Sequence, residues 1–155
     1  MTKLKDVIAY ILKNYPMKEE LSNARVTKII FLADWHQAIN HGKQISNIKW
    51  VFDNYGPFVW DIHNEAIKNK DLFDIQEKVN MYGQKKNVIC LKNSSYDPEI
   101  SNMEKESIDH VLNVTKKLYW DDFIKLVYST YPVMSSERYS TLDLISKAQE
   151  YSNQE

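Results

Sequence analysis

A single α+β domain, mainly helical with one small antiparallel sheet, is the fold this sequence predicts, and three observations carry it. Apolar residues recur at three-and-four spacing over several long stretches, which is the period of a helix with one buried face. Two short stretches, around residues 48–53 and 73–92, instead alternate or run extended and are bounded by turn residues. Finally, 155 residues with 43% apolar and 26% charged side chains suit one hydrophobic core, and no linker, repeat or low-complexity tract divides them. The expected count is five or six helices and about three strands, in one domain over residues 1–151 with a frayed tail at 152–155.

Taken in order, Leu4, Val7, Ile8, Ile11, Leu12 and Tyr15 trace one helical stripe, which Thr2 is placed to cap and Pro16 to end. A second helix begins at Ser22 or Asn23 and runs through Val26, Ile29, Phe31, Leu32, Trp35, Ala38 and Ile39. It is apolar nearly all round, which predicts a central buried helix, and Gly42 supplies the left-handed residue that stops it. Ile48, Trp50 and Phe52 alternate with Lys49, Val51 and Asp53 as one strand. Asn54, Tyr55 and Gly56 then make a turn, and Pro57 suits the first position of a helix through Ile62 and Ile67, ending at Asn69. Phe73 to Val79 and Lys85 to Lys92 read as a hairpin around a turn at Asn80 to Gln84, joining the first strand in one sheet. Ser101 and Glu104 have capping-box spacing ahead of the helical face of Ile108, Val111, Leu112 and Thr115. Asp121 is positioned to cap a helix that Pro132 ends, and Thr141 to start a last one through Leu142 and Ile145.

The composition narrows the function. A formal charge of -1 supplies no general attraction for phosphate backbones or anionic lipid, so nucleic acid is disfavoured as a partner, and no stretch approaches membrane-spanning length. The segment from Met1 to Tyr15 is broken by Lys3, Lys5, Asp6 and Lys13 and lacks the apolar run of a signal peptide. With the lone Cys90, this points to the cytosol. Four histidines, His36, His41, His63 and His110, lack the spacing of metal ligands, and Asp34 lies two residues from His36, where a helix turns the two apart. No nucleophile elbow occurs, and Gly42, Gly56 and Gly83 are isolated rather than grouped as a phosphate loop. No metal, cofactor or catalytic residue is therefore expected.

The segment Arg25-Val26-Thr27-Lys28-Ile29-Ile30-Phe31-Leu32-Ala33-Asp34-Trp35 and the later Asn54-Tyr55-Gly56-Pro57-Phe58-Val59-Trp60 resemble the Panacea (SocA-like) antitoxin family: a lysine-led apolar helix, then a Gly-Pro signature. The stretch from Leu118 to Pro132 resembles its closing helical segment, so the likeness spans roughly Leu4 to Leu144. The resemblance implies a non-enzymatic antitoxin that binds a bacterial toxin directly, with some relatives passing the toxin to a protease. Many relatives occur in mobile or phage-related genomes. Some carry a DNA-binding domain, for which these residues leave no room.

A folded inhibitor needs about 800 Å² of contact per partner, anchored by a few aromatic or arginine side chains. Tyr55, Phe58 and Trp60 beside the turn at Gly56 and Pro57, with Trp35 on the helix of Lys28, are the expected partner-binding platform. The competing role for Trp35 and Trp60 is packing between helices. Lys28, Gly56 and Pro57 are expected to be structural. Two rivals remain: a phage- or mobile-element-encoded regulator of another host protein, and a small hydrolase using His36, His63 and a carboxylate, which requires those groups to converge.

Overall fold

The computed structural model describes residues 2–79 and 81–154. Its centre is α2 (Asn23–His41), capped by Ser22, whose hydroxyl accepts the Arg25 N–H, and closed by Gly42 at φ 70°. Around it pack α1 (Leu4–Asn14), the short α3 (Asp61–Lys68), α4 (Asn102–Thr115) and α7 (Leu144–Asn153). α1 stops where the residue before Pro16 turns extended, and α4 carries both halves of the expected capping box between Ser101 and Glu104. α5 (Trp120–Tyr128) and the single turn α6 (Tyr131–Met134) follow α4.

Burying a helix on all sides forces its polar residues to find partners inside, and most do. Arg25 lies over the Phe123 ring at 4.4 Å and donates to the Tyr15 hydroxyl and to the carbonyls of Thr115 and Leu118 at 2.7–3.0 Å, tying α1, α2 and the end of α4 together. Asp34 is fully buried and accepts from the N–H groups of Ile45 and Ser46, the Ser46 hydroxyl and the Trp50 indole, at 2.5–3.0 Å. Gln37 accepts from the Ser107 hydroxyl at 2.8 Å.

The strands form two sheets. β1 (Trp50–Asp53) lies between β2 (Gly56–Pro57) and β5 (Thr141–Leu142), pairing Phe52 with Pro57 and Trp50 with Leu142, all antiparallel. β3 (Phe73–Val79) and β4 (Lys85–Leu91) make a separate hairpin, Phe73 opposite Leu91, that docks on the chain before α2 through Ile89 N–H to Leu21 O at 3.0 Å. The mainly helical α+β class is the one predicted, and the alternation at Ile48, Trp50 and Phe52 does turn those three inward.

Several local expectations are corrected. Pro57 does not open a helix: it sits in the edge strand β2, where its missing N–H is not needed, and α3 starts only at Asp61. Thr2 makes no cap and instead donates to Glu104 at 2.6 Å. Tyr119, not Asp121, occupies the cap position of α5. Pro132 falls in the first turn of α6, another place that needs no N–H, after α5 has already ended. Thr141 belongs to β5, and Asp143 caps α7 by accepting the Ser146 N–H at 3.1 Å. The hairpin and β1 do not share a sheet. Of the expected hairpin turn Asn80 lies outside the described residues, as do Met1 and Glu155 at the ends; α7 itself runs past Tyr151 to Asn153.

The β1–β2 turn is held from outside. Tyr139, itself in the left-handed region at φ 71°, donates its N–H to Phe52 O and its hydroxyl to Asn54 at 2.6 Å. Within the turn Gly56 has φ 103°, and a β-carbon there would stand 3.5 Å from Tyr128, an ordinary contact. Strain rather than space thus sets the cost of a side chain. Gly56→Ala is expected to destabilise the domain by about 1–3 kcal/mol in thermal unfolding; an unchanged melting temperature would mean that the turn relaxes.

Candidate functional site

The first two turns of α2, the β1–β2 hairpin and α5 enclose a cleft of about 510 Å³. α2 contributes Ala24 and Lys28. The hairpin adds Asp53, Asn54 and Tyr55, followed by Phe58. α5 closes the other wall with Trp120, Ile124 and Tyr128.

Lys28 is only 2% exposed, because it leaves the buried helix α2 and its stem runs under Gly56. A β-carbon at Gly56 would stand 3.6 Å from Lys28 Cε, so the glycine lets hairpin and lysine stem approach. The lysine Nζ lies 5.5 Å from the Phe58 ring centre and, among the described residues, makes no hydrogen bond or ion pair. Loss of water pulls its pKa down to about 8, and the negative charge of Asp53 offsets this only in part. The result is a cation held in an aromatic wall without a counter-ion in contact.

Aromatic rings crowd the mouth. Tyr55 is 79% exposed at the tip of the hairpin, Trp60 is 59% exposed with its ring edge-on to Phe58 at 5.1 Å, and Trp120 is 43% exposed against Phe123 at 5.7 Å. A second cleft of about 750 Å³ shares Ala24, Phe58 and Trp120 with the first and continues past Tyr119 to Lys85 and Lys86 at the start of β4.

Three of the four residues expected at a partner surface, Tyr55, Phe58 and Trp60, are therefore neighbours. Trp35 is not among them: it is 7% exposed and packs edge-on against Tyr151 of α7 at 5.9 Å, the helix-packing role that competed for it in the sequence. Lys28 and Gly56, expected to be structural, meet under the cleft, and Pro57 is buried beside them. Sequence reasoning missed Trp120 and Tyr128 as walls. The signal was Tyr119-Trp120 immediately before two acidic residues, large rings at the polar start of a helix rather than along its apolar stripe. Asp34, weighed in the sequence only as a metal ligand beside His36, is instead an acid in the largely apolar middle of α2, where a buried carboxylate needs internal donors.

His36 and His63, the pair the hydrolase alternative needs, do not converge. His36 stacks on His110 of α4 at 4.5 Å and shares a hydrogen bond of 2.9 Å with the Ser107 hydroxyl, and burial followed by the two neighbouring histidines lowers its pKa. His63 packs instead against Trp60 at 5.5 Å. Among the described residues no group of three His, Cys, Asp or Glu side chains is placed to hold a metal ion, and no helix is long and apolar enough to cross a membrane.

A family model described as antitoxin SocA-like, Panacea domain, matches residues 26–132. The matched span holds every wall of the first cleft except Ala24, from Lys28 through the hairpin to Tyr128. No curated protein and no solved structure matches the chain.

Proposed function

The chain belongs to the antitoxin SocA-like, Panacea domain family, and on that premise we propose that it is a cytosolic antitoxin that silences a bacterial toxin by direct contact through the aromatic cleft above Lys28. The observation that supports this reading is a pair of exposed rings, Tyr55 and Trp120, lining one concave surface, with the exposed Trp60 edge-on to Phe58 of the same wall. Large rings left in water cost free energy that a partner recovers by covering them, and such anchors dominate the energetics of protein interfaces. The mechanism is occlusion: the toxin is held on a preformed surface and no bond is made or broken. The cleft lies between a hairpin clamped by Tyr139 and two packed helices, so little ordering entropy is lost on binding.

The hydrolase alternative draws no support from the separate surroundings of His36 and His63. A regulator of another host protein would use the same surface, and the identity of the captured protein separates the two.

The test is co-expression with the product of the adjacent reading frame, after showing that this product alone stops growth. The chain should restore growth and co-purify with it. Tyr55→Ala and Trp120→Ala, checked for an unchanged fold by circular dichroism, are each expected to weaken capture by about 2 kcal/mol or more. Full rescue and undiminished co-purification by the double variant would remove the cleft as the toxin-binding surface.

A further inference from the structure

We propose that the Lys28 cleft is a carboxylate pocket that receives an acidic side chain, flanked by apolar residues, from the protein partner. This rests on the reading of the chain as a toxin-binding module and states what the cleft recognises.

Charge balance along α2 leaves one gap. Every other buried charged residue of the helix is satisfied within the fold: Arg25 by carbonyls, a hydroxyl and Glu20 at 3.8 Å, and Asp34 by four donors in close contact. Lys28 alone of these ends in a cavity with three donor protons and no contacting acceptor among the described residues. Asp53, on the same cleft wall, acts on it through space without forming an ion pair, so charge near the ammonium is only partly balanced.

The cleft walls favour an anion at that gap. Phe58 and Trp120 line the space beside the ammonium and Lys28 is only 2% exposed, and a charge-assisted hydrogen bond to a largely buried ammonium is stronger than one at an open surface. A cavity of about 510 Å³ admits a side chain with its apolar neighbours. Beyond Trp120 the adjoining cleft carries charges of both signs, Lys85 and Lys86 with Glu20 and Asp121, and Lys85 is paired with Glu77 at 3.6 Å, so the attraction for an acid is local to Lys28. Aromatic walls with an ammonium at the base suit a glutamate or aspartate between apolar residues; a cationic side chain would meet Lys28 as a like charge.

Three blocked tripeptides, acetyl-Phe-Glu-Phe-amide and its Gln and Lys counterparts, test this on the full chain. Binding is followed by the Trp120 indole and Lys28 ε-methylene resonances. The Glu peptide should bind with a millimolar dissociation constant and shift both resonances, the Gln peptide about tenfold more weakly, and the Lys peptide not at all. Lys28→Met should erase the preference for Glu over Gln, and Asp53→Asn, which removes the opposing charge, should tighten the Glu peptide. Equal affinity for Glu and Gln, absence of binding by the Glu peptide, or a preference that survives Lys28→Met overturns the proposal. Growth rescue is read separately, so failure of the peptides with rescue intact removes the carboxylate pocket and leaves the toxin-binding reading standing.

Discussion

Asp34→Ala is expected to destabilise the domain by about 3 kcal/mol at neutral pH. Four donors within 3.0 Å, and Gln44 at 3.5 Å, converge on this carboxylate, and they come from the loop after α2 and from β1, so Asp34 is the post that fixes where the first strand begins. Removing it leaves the N–H groups of Ile45 and Ser46 and the Trp50 indole buried without an acceptor, at about 1–3 kcal/mol each. Relief of the buried charge offsets part of that loss. Burial holds the Asp34 carboxyl up at about 6, against the pull of its donors.

The sign of the accompanying pH effect follows from that value. The folded pKa lies above the unfolded value of 3.8, so the stability linked to protonating Asp34 is fully present below about 4 and is lost as pH rises through about 6. Compared with Asp34→Asn, which does not titrate, the natural protein should gain roughly 2.5 kcal/mol as pH falls from 7 to 4. Urea unfolding of the three proteins at pH 4 and pH 7 checks both statements. Equal stability of Asp34→Ala at neutral pH would mean that water takes over as acceptor and that the carboxylate does not organise the strand.

Lys28→Met is expected to act in the opposite direction and to stabilise the free domain near neutral pH by roughly 3 kcal/mol, the free-energy equivalent of pulling the lysine from 10.5 to about 8. Methionine fills a similar volume and has no charge to desolvate. The folded pKa here is the lower one, so the stability linked to losing the proton is fully present above about 10.5 and is lost as pH falls through about 8. The variant's advantage should therefore shrink as pH rises from 8 to 10. Tyr10 and Tyr96, whose hydroxyls bond to Asp109 and Asp6 and sit at about 12, are common to both proteins and do not enter the difference. A Lys28→Met protein less stable than its parent would show that the ammonium holds the cleft together rather than straining it. A gain in stability joined to a loss of capture is the signature of a group kept for binding.

The parts of the fold that are legible in the sequence are those decided by neighbours in the chain. The stripe from Leu4 to Tyr15, the Ser101–Glu104 capping box, the stop at Gly42 and the hairpin from Phe73 to Leu91 each depend on residues within a few positions of one another. The prolines misled because their local meaning is negative. Pro57 and Pro132 mark places where an N–H is dispensable, and an edge strand and a first helical turn satisfy that equally. Thr141 and Leu142 are two residues whose strand exists only because β1 lies alongside.

The same division holds for the site. From sequence, Tyr55, Phe58 and Trp60 follow one turn and so must lie near each other, but Trp35 and Trp120 are distant along the chain and nothing local says which of them comes to that turn. Packing decided it: Trp35 faces α7, and α5 brings Trp120 and Tyr128 across from Lys28. By itself the sequence determined a mainly helical α+β domain around one buried helix, and it carried the marks of its family. Only the tertiary structure decided that Lys28 ends in an aromatic cleft without a contacting counter-ion among the described residues, because the burial and charge balance of a side chain are set by segments that meet in space, and hydrophobic periodicity records which face is covered but not what covers it.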